Sequence, residues 1–222
     1  MRSQERHSTL IRILLPSSSQ FLAPTRSSDA AILDRVASQS AAKWFGGWNG
    51  NIQADVSSYL DAAAAQGAIA TMVLYNIPNR DCGGYSNGGA TTVAAYRSWI
   101  DGVAAGMKGR ASAVVLEPDA VALTNCLSSS QKQERNDMLK YAVTKLTAAG
   151  AKVYIDAGHS DWVSVSEISN RLKAAGIDQA QGFALNVSNF FPTSNNVAYG
   201  LQISALVSGK HFIVDTSRNG SG

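Results

Sequence analysis

The sequence predicts an α/β domain organised around a parallel sheet, and three observations carry that reading. Short apolar, β-branched runs, typified by Val114, Val115 and Leu116, recur along the chain. They lack the length and the 3.6-residue spacing of an amphipathic helix, and read as strands buried on both faces. Segments with helical spacing separate them, an alternation that right-handed βαβ crossovers produce. Four of the runs lead to a carboxylate, at Asp81, Asp119, Asp156 and Asp215. The carboxyl ends of parallel strands share one rim, where α/β enzymes place their working groups.

Taken in order, residues 1–20 have a basic start and a short apolar stretch at 10–15 but no signal-peptide core or small-residue cleavage site, and are set aside as an irregular leader outside the fold. A helix is expected over 28–38, with Ser28 and Asp29 as caps and Ile32, Leu33 and Val36 on its apolar side. A short strand follows over 42–45. The spacing of Ile52, Val56, Tyr59, Leu60 and Ala63 predicts a helix over 51–66, stopped by Gly67. A strand over 68–75 then opens into a loop, 76–89, dense in Asn, Gly, Pro and Ser and suited to act as a lid. Helices over 91–107 and 129–149 precede strands over 113–116 and 152–155. The last elements are a helix over 163–175, a strand over 182–187, a helix over 195–207 and a strand over 211–214. Six strands at this spacing form either an open doubly wound sheet or most of a barrel. No Gly-rich phosphate loop of either standard spacing is present, which disfavours nucleotide binding.

Composition bounds the partners. At 222 residues the chain suits one domain with a sizeable core. Charged residues are 16% of the chain and the net charge is +3, with basic residues concentrated only over 1–12. No nucleic-acid partner is expected. No apolar run approaches the ~20 residues of a membrane span, so no membrane partner is expected either. A polar, weakly charged surface suits a neutral partner such as a sugar. Cys82 and Cys126 each follow a strand-end segment. They are either buried thiols or a disulfide enclosing roughly 45 residues, worth about 4 kcal/mol in the chain-entropy model and implying an oxidising compartment.

The carboxylates suggest the chemistry. Glycoside hydrolysis needs a protonated carboxyl to donate to the leaving oxygen and negative charge near the oxocarbenium-like sugar. If Asp81 and Asp119 share a partly buried cleft, repulsion and desolvation raise the proton affinity of one of them. Arg80 beside Asp81 is expected to keep Asp81 ionised, leaving Asp119 as the donor. Alternatively each Asp caps a helix or ties down a loop, and Glu117 is read as buried, holding a turn by hydrogen bonds. Trp44, Trp48 and Trp162 sit in loops or at strand ends, where flat platforms for a pyranose belong, whereas Trp99 reads as packing. Tyr75 either presses on a bound sugar or fills the rim. His159 is expected to donate to a sugar hydroxyl or to Asp156; with three histidines and no HxH or HExxH spacing, no metal or cofactor is expected. Asn186, Ser188 and Asn189 offer groups for sugar hydroxyls or for the loop itself. Ser86 lacks a GxSxG setting and reads as a loop residue able to bond water or a sugar.

The segments AKWFGGW, VLYNIPNRDCGGYSNGG, VVLEPDAVALTNC, VYIDAGHSDW, GFALNVSNF and FIVDTSRNG, in this order and spacing, resemble glycoside hydrolase family 6, the inverting cellulases. The resemblance runs from about residue 21 to 222. It implies a distorted, incomplete parallel β/α barrel with fewer than eight strands and a cleft across its top that cuts β-1,4-glucan. It implies that Asp119 is the general acid, Asp81 its charge partner, Tyr75 the residue crowding the distorted sugar and Ser86 a placer of water. Trp44 and Trp162 match sugar platforms, Asp156 and His159 match substrate contacts, and Cys82 and Cys126 match a disulfide. Arg80, Asn186 and Asn189 complete the expected substrate-binding set. Two departures stand out. Family members usually continue beyond DTSRNG, so 21–222 is expected to be a catalytic domain lacking its C-terminal segment. Gly89 stands where the family often has Glu, which is expected either to loosen the lid or to leave it one polar contact short.

The reading is therefore a secreted, monomeric, endo-acting β-1,4-glucanase. Its alternatives are an exo-acting cellobiohydrolase of the same family and a truncated, silent glucan-binding protein.

Overall fold

The structure is a computed structural model and describes Asp29 and residues 41–219. Asp29 is helical; the rest of the expected helix over 28–38, and the expected leader over 1–20, lie outside the described residues. The elements are β1 (Lys43–Gly46), α1 (Ile52–Ala65), β2 (Ala70–Tyr75), α2 (Val93–Met107), β3 (Ser112–Leu116), α3 (Ser129–Ala148), β4 (Ala151–Asp156), α4 (Val165–Ala174), β5 (Gly182–Leu185), α5 (Thr193–Leu206) and β6 (His211–Val214). All five strand pairings are parallel, and the strands lie in sequence order from β1 to β6 in one unclosed sheet.

Side-chain alternation along these strands separates two faces. Met72, Leu74, Val114, Leu116, Val153, Ile155, Phe183 and Leu185 point to one side, where they meet Val56 and Leu60 of α1, Tyr96, Ile100 and Val103 of α2, Leu139, Val143 and Leu146 of α3, Ile168 and Leu172 of α4, and Ile203 of α5. Val73, Val115 and Ala184 point to the other, where among the described residues they are packed only by Ala42, Trp44, Tyr154, Val187 and Ile213, none of them from a helix. A doubly wound sheet would carry helices on both faces. One helix-covered face and consecutive strand order are the features of a β/α barrel wall, so this is an incomplete parallel barrel.

The helices begin where local chemistry satisfies their free N–H groups. Asn51, Thr92 and Ser164 accept from Ala54, Ala95 and Glu167 respectively, and Ser128 forms a reciprocal capping box with Gln131. At the start of β5, Gly182 lies so close to the His211 carbonyl that a Cβ there would overlap it, which explains glycine at a fully paired strand position. Strand β5 is two residues shorter than expected because Asn186 (φ 62°) turns the chain into the left-handed region.

Candidate active site

Parallel pairing brings the exits of β2, β3 and β4 side by side. Leu74 and Ile155 both sit in register with Leu116, so the segments that follow them share one edge. The turn after β3 carries Glu117 (φ 51°) and Asp119 (φ 70°), and the loop after β2 carries Asn79 (φ 56°), Asp81 (φ 56°) and Cys82 (φ 47°). Left-handed backbone at non-glycine residues is uncommon, least so at Asn and Asp, and persists where surrounding contacts hold it.

Those contacts are specific. Glu117 is fully enclosed, and its Oε2 accepts from the backbone N–H of Asn76 (2.9 Å) and Ile77 (2.9 Å), fixing the exit of β2 to that of β3. Burial pushes its carboxyl up to about 7, against the pull of those two N–H groups. The Tyr96 hydroxyl faces Glu117 without a hydrogen bond of good geometry. Cys82 and Cys126 form a disulfide with Cα atoms 5.5 Å apart, joining the two segments covalently. Arg135, a charged residue on the buried stripe of α3, donates to carbonyls of both.

Asp119 is half-buried beside Asp81, and its carboxyl is pushed up to about 6, first by burial and then by the Asp81 charge. The Asp81 carboxylate accepts from the Ser86 N–H at 2.7 Å. Tyr75, at the end of β2, is raised to about 12 by burial, then by the charges of Asp119 and Asp81, so its phenol stays protonated. Asp156 is 1% exposed; its Oδ1 accepts from the backbone N–H groups of Asp119 (2.8 Å) and Gly158 (3.0 Å). Burial, then the Asp119 charge, raises its proton affinity well above the carboxylate range. Asp156 therefore stands behind Asp119 and holds its backbone.

The Arg80 guanidinium donates to the carbonyls of Tyr75 (2.7 Å) and Ser86 (2.7 Å) and lies over the rings of Tyr75 and Trp48. It thereby closes the 80–88 loop, whose ends form an antiparallel bridge at Arg80 and Gly88. Ser86 is exposed at the tip of that loop. Gly89, at φ 95°, lies against the Ile77 carbonyl, where any Cβ would overlap.

Aromatic groups flank the carboxylates. The Trp44 ring packs edge-on to Tyr75 (centroids 5.6 Å), Trp48 is 56% exposed, and Trp99 packs against the core. His159 is stacked on Phe191 (4.0 Å) and near Trp162 (5.2 Å). Its Nδ1 accepts from the Asp161 N–H, which leaves the ring proton on Nε2, and burial holds its pKa down. No hydrogen bond joins it to Asp156. Asn186 is fully buried, with its amide committed to Asp215, Asn219, Asn189 and Phe191, so its side chain serves the loop. Asn189 is half-buried, its side-chain oxygen accepting from the Phe190 N–H. Asp215 accepts from Ser188 and Ser217. A separate open cavity of about 710 Å³, between α4 and α5, is lined by Ser164, Phe191 and Tyr199 among others and by none of Asp81, Asp119 or Asp156. Among the described residues no group of three or more His, Cys, Asp or Glu is arranged to hold a metal ion, and no helix is long and apolar enough to cross a membrane.

Sequence reasoning missed Phe191 and Arg135. The first was visible only as an aromatic pair after β5; the second as a charge at a position where the helical stripe of Met138, Leu139 and Ala142 calls for an apolar residue.

A barrel wall that delivers a raised carboxyl, a second carboxylate and exposed aromatic rings to one rim has the layout of a glycoside hydrolase. The chain belongs to the glycosyl hydrolases family 6, whose family model matches residues 15–222. It is 47% identical over 197 residues to Endoglucanase A of Cellulomonas fimi, covering 87% of this chain and 43% of that protein. It is 40% identical over 201 residues to Endoglucanase 1 of Streptomyces halstedii, covering 87% of this chain and 63% of that protein. The chain thus spans less than two thirds of these relatives. Among solved structures, the endoglucanase Cel6 of Mycobacterium tuberculosis, in complex with methyl-cellobiosyl-4-deoxy-4-thio-β-D-cellobioside, superposes with a TM-score of 0.90 at 41% identity, covering 97% of this chain and 75% of that one.

Proposed function

We propose that this chain is the catalytic part of a secreted endo-β-1,4-glucanase that hydrolyses internal bonds of cellulose and related β-glucans with inversion. The observation that carries the reading is the pairing of Asp119, half-buried and raised to about 6, with the Asp81 charge. A carboxyl in that range stays partly protonated near neutral pH, as a general acid must. Asp119 donates its proton to the glycosidic oxygen as the C1–O bond breaks; water adds to C1 from the opposite face and releases its proton through water toward Asp81. Tyr75 shapes the reacting subsite, and Ser86, bonded through its N–H to Asp81, positions the attacking water.

Trp44, Trp162 and His159 offer surfaces for glucosyl rings, with Arg80 and Asn189 at their margins and Asp156 acting through Asp119. The curated relatives named endoglucanases support endo action. The disulfide suits an oxidising, extracellular setting, and the chain is taken to act as a monomer without cofactor.

The test is reducing-sugar release from a soluble cellulose derivative together with the anomeric configuration of the first product by NMR. An initial α-anomer, lost in Asp119→Asn, is the expected result. A β-anomer overturns inversion, and an Asp119→Asn variant with full activity overturns the acid assignment. Binding of cello-oligosaccharides without turnover would establish the silent glucan-binding alternative, which the exposed Trp48 and Trp162 rings favour.

A further inference from the structure

The two segments that carry Asp81 and Asp119 meet on one buried guanidinium. Arg135 is 3% exposed, and it has no hydrogen-bonded carboxylate partner. Its Nη2 donates to the carbonyls of Pro78 (3.0 Å) and Asn79 (2.9 Å), three and two residues before Asp81. Its Nη1 donates to the carbonyls of Ala120 (3.2 Å), next to Asp119, and Leu123 (3.1 Å). Two further ties join the segments: Glu117 at Asn76 and Ile77, and the disulfide at Cys82 and Cys126. Among the described residues, Arg135 is the side chain that hydrogen-bonds backbone carbonyls of both segments. Five left-handed, non-glycine residues occur in these segments, at 79, 81, 82, 117 and 119, so their backbone needs such over-determination to keep one conformation.

We propose that Arg135 is the positioning residue that sets the separation of Asp81 and Asp119, by holding both loops on one rigid fork. The shape of the group matters as much as its charge. A guanidinium presents its donors in a fixed plane, whereas an ammonium is a single point with three rotatable donors and cannot span four carbonyls. The proposal rests on the glycosidase reading only for its consequence in catalysis; the clamp itself is a statement about geometry.

The experiment compares the wild-type chain with Arg135→Lys, using two readouts. The first is the titration of the Asp119 carboxyl carbon by 13C NMR, which needs no turnover. The titratable groups facing Asp119 are Asp81 from the β2 loop, Tyr75 from β2 and Asp156 from β4, and Arg135→Lys keeps all three. If the loops part, Asp119 feels less of Asp81, and its midpoint moves down toward the ordinary carboxylate value. The second readout is kinetics: kcat falls about 10- to 100-fold with KM within about twofold, because misplacement by an ångström costs catalysis more than binding. An unchanged Asp119 midpoint in a folded Arg135→Lys overturns the proposal. A shifted midpoint in chains that never hydrolyse glucan leaves the clamp standing and removes the glycosidase reading instead. Should the variant not fold, the wild type decides. Arg135 guanidinium protons bound to four carbonyls exchange with water at least tenfold more slowly than those of exposed Arg97, and equal exchange overturns the clamp.

Discussion

The backbone N–H of Asp119 donates to Oδ1 of Asp156 at 2.8 Å, so the residue proposed as the acid is held by a second carboxyl that is itself sealed from solvent. Asp156→Ala leaves the N–H groups of Asp119 and Gly158 without their acceptor. At about 1–3 kcal/mol for each buried group left unpaired, the expected loss of stability is roughly 2–6 kcal/mol. Urea denaturation measures it, and kcat falls with it.

The proposed acid role of Asp119 sets a pH dependence for hydrolysis. In that role it must carry a proton, so activity is expected to decline as pH rises through about 6. Asp81→Asn removes the second cause of that elevation and leaves the first, burial. The alkaline limb of the kcat profile therefore moves to lower pH without reaching the value of an exposed carboxyl. A limb that stays in place would sever Asp81 from the proton affinity of Asp119.

Stability responds to pH in the same region. Glu117 is raised from 4.5 to about 7 and Asp119 from 3.8 to about 6. Between these folded and unfolded values the folded chain binds more protons than the unfolded one, so stability rises as pH falls from about 7 toward 5 and levels off below the unfolded values. Thermal melts across pH 8 to 5 should show Tm increasing by several degrees. Glu117→Gln, which keeps an oxygen for Asn76 and Ile77, flattens the upper part of that rise, and Asp119→Asn flattens the lower part.

The lid is pinned at Gly89. Its φ of 95° and its contact with Ile77 leave no room for a side chain. Gly89→Ala costs about 1–3 kcal/mol through backbone strain, and more where the carbonyl must move. Limited proteolysis within 80–90 should become faster, while cleavage elsewhere stays as in the wild type.

Strand and helix identities were legible from local pattern because Val114, Val115 and Leu116, or Val56, Tyr59 and Leu60, declare their period within a few residues. Element ends were less so. Helix α5 begins at Thr193, two residues before its apolar spacing becomes visible, with Pro192 before it supplying no side-chain cap. The choice between an open sheet and a barrel wall was not local at all; it depends on α1 to α5 packing on one face. In the site, Asp81 and Asp119 were legible as strand-end carboxylates, and the family resemblance ranked them. The carbonyl partners of Arg80 were hidden, since adjacency in sequence says nothing of which carbonyls a long side chain will reach. For Asn186 the sequence left open sugar hydroxyls or the loop itself, and its enclosed amide bonds the loop.

The strands follow one another across the sheet in the order of the chain. Each described βα unit therefore docks on the unit made just before it, and each strand from β2 to β6 finds a partner in the strand that precedes it. During synthesis the sheet can grow by accretion from β1, with each new strand covering the exposed edge left by the last. Long-range loop closure, the slow step of many β architectures, is divided here into short instalments of one helix each.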